Sequence, residues 1–201
     1  MKTRNKIIIW IVTAFILTTG GIYVYQVHFN YRFRTVDNDK VYRSGTIPPE
    51  KLGEYIKKYH IKSIIDLRSP GEGDASDNPE KLEDVLAEKD AVGKIPGVNY
   101  FNIKSDQIPS QNNLDSFYKV MDQLENYPVL IHCHHGVGRA GIYSAIYQIE
   151  YQKLSNDKAR ENTRSFMELR PLKFSSFDDG KAKGEFLKNY KSENYRHPVQ
   201  K

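Results

Sequence analysis

His132-Cys133-His134-His135-Gly136-Val137-Gly138-Arg139-Ala140-Gly141 contains the only cysteine of the 201-residue chain, with an arginine six positions after it. The apolar run Val129-Leu130-Ile131 leads into it, and a helical pattern from Ile142 to Gln152 leads out. That order reads as strand, tight loop, helix, with a thiol where the loop begins and a guanidinium where the helix begins. Gly is about 7% of residues on average, so three glycines at fixed offsets arise by chance about 3 times in 10,000.

Each residue type in this loop has a physical use. Glycines let the backbone turn sharply and bring its N–H groups close to a ligand. Those N–H groups and the positive end of the following helix make an anion site from His134, His135, Gly136, Val137 and Gly138. Arg139 adds a planar fork of donors that matches two phosphate oxygens. The same field is expected to favour the thiolate of Cys133, the reactive form. A nucleophile at the floor of a phosphate cradle suits covalent phosphoryl transfer through sulfur. A lone cysteine is more commonly a small buried hydrophobe, but that reading explains neither the glycines nor Arg139.

The segment matches HCxxGxxRxG and resembles the signature of the cysteine-dependent protein tyrosine and dual-specificity phosphatase superfamily. Val41-Tyr42-Arg43-Ser44-Gly45 and Ile64-Ile65-Asp66-Leu67-Arg68 resemble the YRSG and VIDLR segments of compact dual-specificity-like phosphatases. Asp106-Gln107-Ile108-Pro109-Ser110 is similar to the D-x-x-P-S loop that carries the general acid in related enzymes. The resemblance spans about residues 40 to 170. It implies that Cys133, Arg139 and Asp106 are catalytic, that His132 tunes the thiolate, and that no metal or other cofactor is needed. Ala140 departs from the pattern. Most of the superfamily has Ser or Thr there, whose hydroxyl stabilises the leaving thiolate when the phosphocysteine is hydrolysed. Alanine is therefore expected to slow that second step unless a backbone N–H or His132 replaces the hydroxyl.

The net charge is +5, and Lys2, Arg4 and Lys6 supply three of those charges. The remaining +2 does not suit a nucleic-acid binder, which needs a clustered basic face. Residues 7–27 contain no Asp, Glu, Lys or Arg. As a helix they reach about 31 Å, enough to cross a bilayer core. Trp10, Tyr23 and Tyr25 lie toward the ends, as interfacial aromatics do, and no A-x-A-like cleavage site follows. The stretch is read as an uncleaved single-pass membrane anchor. The dense N-terminal basic cluster favours an inside N-terminus and an extracytoplasmic catalytic domain.

Along the chain, 1–29 reads as the anchor, 30–39 as a polar linker, 40–174 as the phosphatase domain and 175–201 as a charged C-terminal extension. Strands are expected near 41–43, 61–67, 98–103 and 129–132, and helices near 49–60, 80–89, 112–126, 140–152 and 156–169, the last capped by Ser155 or Asn156. Residues 69–79 are rich in Gly, Asp, Ser and Pro and read as a loop. Strands alternating with helices predict an α/β fold: a central, mostly parallel sheet flanked by helices, with an N-terminal transmembrane helix. The site then falls outside the carboxyl end of a central strand.

Asp106 is the candidate acid because a departing alkoxide or phenolate needs a proton. Arg43, Asp66 and Arg68 read as ion pairs beneath the sheet edge. His132, Cys133, His134 and His135 are too close in sequence to surround one ion, and no distant ligand pair is evident. His134 and His135 are expected at the rim, partly cationic near a bound phosphate. The leading reading is a phosphomonoester hydrolase acting on a phosphorylated protein or small phosphomonoester. An inositol phosphate or phosphoinositide phosphatase is the alternative on the same fold, disfavoured by the lack of lysine between Cys133 and Arg139. A weakly active, membrane-anchored phosphate-binding module is the third.

Overall fold

The computed structural model describes residues 3–71, 79–163 and 175–192. Helix α1 (Thr3–Val24) runs into a π-helical turn at Tyr25–Phe29. The globular part then follows as β1 (Arg34–Asp37), β2 (Val41–Ser44), α2 (Pro49–Tyr59), β3 (Ser63–Asp66), α3 (Leu82–Gly93), β4 (Asn99–Asn102), α4 (Gln111–Met121), β5 (Val129–His132), α5 (Arg139–Glu150), α6 (Asn156–Asn162) and α7 (Ala182–Asn189). The sheet order is β1-β2-β5-β3-β4, and only β1 runs antiparallel to its neighbour.

Strands buried on both faces send alternate residues to opposite layers. Val41, Ile65, Val129 and Ile131 join the larger core with α4, α5, α6 and α7. Tyr42, Ile64 and Leu130 join the smaller one with α2 and α3. All twelve residues of α5 are buried, so the helix that follows the phosphate loop is enclosed by protein on every side. β5 lies between β2 and β3, which puts Cys133 at the carboxyl end of the central strand.

The local signals explain most boundaries. Pro49 opens α2, where its missing N–H costs nothing, and His60 closes it in the left-handed region with φ 53°. Ser110 caps α4 by accepting from the Asn113 N–H, and Ser155 caps α6 by accepting from the Lys158 N–H. α4 stops at Met121, before the expected 126, because the chain turns through a 3-10 segment at Leu124–Asn126. Of the expected helix at 156–169, residues 164–169 lie outside the described residues, as do 72–78 of the expected loop.

Two segments differ from their sequence reading. The polar linker at 30–39 contains β1 and the buried Phe33, which stacks 4.3 Å from Tyr59 and 5.3 Å from Tyr42, centroid to centroid. Its polar residues sit on an edge strand, so composition alone resembles a loop. Likewise, residues 175–192 are not only a charged surface: Phe177 and Leu187 are fully buried in the larger core, and packing continues past residue 174. α1 stands apart. Its apolar side chains are exposed, Trp10 at 74% and Leu17 at 70%.

A fragment starting at residue 30 keeps Phe33 and β1, whereas one starting at residue 40 loses both. Deleting a buried Phe costs about 3–5 kcal/mol. Urea unfolding is therefore expected to show the shorter fragment at least ~3 kcal/mol less stable; equal midpoints would remove residues 30–39 from the folded unit.

Candidate active site

The loop after β5 is shaped by where its carbonyls go. His134 O accepts from Thr46 N–H at 3.0 Å, and His135 O accepts from Arg32 Nη1 at 2.9 Å. In a trans peptide the next N–H points opposite to the carbonyl. Tying those two carbonyls outward turns the N–H groups of His135 and Gly136 inward. The Gly136 N–H does donate to Cys133 Sγ, at 3.3 Å. Gly136 has φ +70°, and a Cβ there would stand 2.2 Å from Gly45 N, so the loop closes on the β2 exit only with glycine.

Arg139 is buried, and most of its donors are already committed. Nη1 donates to Glu80 Oε1 at 2.7 Å and to Leu67 O at 3.0 Å, and Nη2 donates to Glu80 Oε2 at 3.1 Å. A guanidinium has five N–H donors. The two left among the described residues, Nε–H and the second Nη2–H, share one edge of the plane and form a fork for two oxygens of a phosphate. Glu80 also accepts from Ser69 N–H at 3.0 Å. Burial opposes ionisation of Glu80, but the hydrogen bond and charge of Arg139 prevail and hold its carboxyl below the ordinary range.

A second buried group lies beside this pair. Arg68 bonds Asp66 through Nε at 2.9 Å and Nη2 at 2.8 Å, and bonds Glu88 through Nη2 at 2.7 Å. His132 Nε2 lies 2.8 Å from Glu88 Oε1 and 3.7 Å from Asp66 Oδ1, a close charge contact in which neither ring N–H is well aligned. Burial pushes the His132 pKa down, but Glu88 and Asp66 push it further up, so the net direction is raised. Burial also raises Asp66, while His132 and Arg68 lower it more. Possible ligand atoms of Asp66, Glu88 and His132 fall within 4.8 Å of one another, but the cation in their midst is Arg68.

The structure brings the expected site residues together. Cys133, Arg139 and residues 134–138 form one loop. Asp106 is exposed, on a loop fixed by Ser110 and Asn113 at one end and by Tyr143 Oη donating to Ser105 Oγ at 2.9 Å at the other. A Cβ on Gly138 would stand 2.9 Å from Gln107 Oε1, so the acid loop leans over the phosphate loop. His132, which the resemblance assigns to tuning the thiolate, turns its ring to Glu88. Ala140 has no hydroxyl to offer the sulfur, and the Gly136 N–H is a donor to it. His134 and His135 are expected to be partly cationic near a bound phosphate. Without one, burial, reinforced by Arg139 and, respectively, by Arg68 and by His134 with Arg32, outweighs the raising pull of Glu80 and lowers both pKa values. The Asp66–Arg68 ion pair is present as read, and Arg43 Nη2 donates to the Thr163 carbonyl at 2.9 Å.

Sequence reasoning missed Glu80, Glu88, Gln107 and Lys183. A buried arginine demands a counter-charge, but nothing in a single sequence selects it among 25 acidic residues. Lys183 on α7 would stand 3.0 Å from a Cβ on Gly138, so the C-terminal segment brings a cation to the mouth of the loop.

A family described as a DSP-PTPase phosphatase fused to NAD+ kinase matches residues 23–181. The chain belongs to the cysteine-dependent phosphatase superfamily. Inositol diphosphatase DSP4 of Arabidopsis thaliana is 30% identical over 156 residues, covering 68% of this phosphatase and 70% of that protein. Protein tyrosine phosphatase domain-containing protein 1 of Bos taurus is 31% identical over 109 residues, 53% of this chain but only 14% of the relative's length. The core catalytic domain of the PP-IP phosphatase SIW14 from S. cerevisiae, solved with citrate, superposes with a TM-score of 0.54 at 19% identity. That match covers 80% of this chain and 86% of that one, and it bears on fold alone.

Two outcomes are expected. Glu80→Gln replaces one acceptor with an amide that opposes an Arg139 N–H. It should lower kcat/KM on an aryl phosphate at least ~10-fold, about 1.4 kcal/mol of barrier, in a protein that still melts cooperatively; unchanged kinetics would refute the positioning role. For pH, the raised pKa of His132 gives stability that is complete below its ordinary 6.5 and lost as pH rises through the folded value. The lowered carboxyls of Asp66 and Glu80 give stability present above their ordinary 3.8 and 4.5 and lost as pH falls through the folded values. Denaturant midpoints should decline on both sides, and His132→Asn should flatten the alkaline side and, because His132 also lowers Asp66, part of the acid side. An unchanged alkaline slope in that variant would assign the decline to another group.

Proposed function

We propose that this phosphatase hydrolyses phosphomonoesters through a phosphocysteine intermediate. The reading is carried by Arg139, fixed end-on by Glu80 with one donor edge left for phosphate beside Cys133. Cys133 Sγ attacks phosphorus in line, forming the S–P bond as the ester P–O bond breaks. Asp106 gives its proton to the departing oxygen. Water, deprotonated by Asp106, then attacks phosphorus, the S–P bond breaks, and orthophosphate leaves. The loop N–H groups and the Arg139 fork hold the equatorial oxygens through both steps. The Gly136 N–H on the sulfur supports turnover over the reading of a barely active binding module.

The substrate class has two supported readings. A phosphorylated protein side chain suits the tyrosine-phosphatase relative. An inositol phosphate suits the DSP4 relative, an inositol diphosphatase, and Arg32 and Lys183 supply cations at the loop that residues 134–138 lack. We also infer that the N-terminal helix anchors the protein. The segment Asn5–Phe29 is apolar and long enough to cross a membrane, a property that signal sequences share, and none of its most apolar stretch is buried. A fully exposed apolar helix is unstable in water. The inside placement of Lys2, Arg4 and Lys6, with the catalytic domain outside the cytoplasm, follows the same reasoning.

Cys133→Ser is expected to abolish turnover while retaining phosphate-ester binding, since the cradle is mostly backbone; residual wild-type turnover would reject the covalent route. Asp106→Asn should slow esters with poor leaving groups far more than activated ones, because only the former need the proton. Equal losses across a leaving-group series would place the acid elsewhere.

A further inference from the structure

The anchor and the phosphate loop are joined by a short, hydrogen-bonded path. Asn30 N–H donates to Tyr25 O at 2.9 Å and Arg32 N–H to Gln26 O at 2.7 Å, so the chain leaving the helix folds back onto its last turn. Asn30 Nδ2 adds a bond to Gln26 Oε1 at 2.9 Å. Tyr31 and Arg32 both take left-handed φ values, 50° and 52°, a conformation that non-glycine residues hold only when surrounding bonds fix it. The surrounding bonds lead straight to the site. Tyr31 O accepts from Gly45 N–H at 2.8 Å, and Gly45 is the residue on which Gly136 closes. Arg32 Nη1 holds His135 O inside the phosphate loop. The Tyr31 ring meets Tyr55 edge-on at 6.0 Å, which ties the same turn to α2.

This geometry fixes the height of the pocket. Arg32 is three residues beyond Phe29, and three residues extend at most about 10 Å. The headgroup layer adds about 5–8 Å to each side of the hydrocarbon core. A loop gripped by Arg32 therefore sits at the headgroup level or just above it. Phe29 and Tyr25, 66% and 58% exposed, flank the exit as interfacial aromatics do. A flexible tether would let the domain roam; here the exit is part of the active-site scaffold.

We propose that the phosphomonoester this enzyme hydrolyses is carried on the headgroup of a membrane lipid in the bilayer that holds α1. This rests on the phosphatase and anchor readings above. The lipid enters at a fixed depth, its phosphate meets the Cys133 loop, and confinement to the same surface raises its effective concentration. The P–O bond to the headgroup breaks, the lipid alcohol takes a proton from Asp106, and orthophosphate leaves after water cleaves the S–P bond.

Full-length protein reconstituted in phosphatidylcholine vesicles tests this, with orthophosphate release as the readout. Phosphatidic acid, phosphatidylglycerol phosphate and phosphatidylinositol 4-phosphate are each placed in the same vesicles or in separate protein-free ones. Glycerol phosphate, inositol 4-phosphate and a phosphotyrosine peptide are supplied in solution, and p-nitrophenyl phosphate reports the basic chemistry. At least one lipid should turn over more than tenfold faster in the same vesicles than in separate ones, and faster than its soluble headgroup or the peptide. Equal rates in the two vesicle arrangements, or a faster soluble headgroup or peptide, would overturn the lipid assignment while leaving the phosphatase reading intact. No release even from p-nitrophenyl phosphate would overturn the phosphatase reading itself. A salt wash that strips the protein from its vesicles would overturn the anchor, and the lipid assignment with it.

Discussion

Glu80 holds the buried Arg139 end-on and leaves one donor edge of its guanidinium open. A guanidinium buried without a counter-charge is expensive, and a long side chain without a fixed partner samples many rotamers. The end-on pair with Glu80, reinforced by Leu67 O, answers both costs and decides which edge stays open. Beside it, Arg68 and His132 face Asp66 and Glu88. Counting His132 as protonated, three cations meet three carboxylates beneath the loop. The positive field that a dianion meets then comes from the loop N–H groups and the exposed donor edge, not from an excess of buried charge.

The second constraint is steric. The loop closes on Gly45 through Gly136, and α5 starts against Phe177 through Gly141, where a Cβ would come within 2.9 Å of the ring. Phe177 and α7 therefore help set the floor of the site. The chain entering from α1 sets its wall through Tyr31 and Arg32. Segments that flank the phosphatase core at both ends are in this way parts of the site.

The sequence made the phosphate loop, the central strand, the helix order and the acid loop legible, because glycine, proline and apolar spacing act locally. Cys133, Arg139 and Asp106 are residue types whose chemistry few others share, so their pattern stood out too. Glu80, Lys183 and the Glu88 partner of His132 were not. Each depends on which distant segment lies opposite, and charged residues carry no address in sequence. β1 was hidden because an edge strand buries one side only, and its one deep anchor, Phe33, precedes it. The segment after 174 was hidden because the two large apolar residues that it buries among those described, Phe177 and Leu187, sit among charges.

Covalent chemistry at Cys133 is the central claim, and trapping the intermediate addresses it most directly. Wild-type protein mixed with a radiolabelled phosphomonoester is quenched in acid within one turnover and digested, and the labelled peptide is sequenced. Phosphate on Cys133, formed and lost at rates that match steady-state turnover, is the expected result. Turnover with no label on Cys133, or label on another residue, would contradict it.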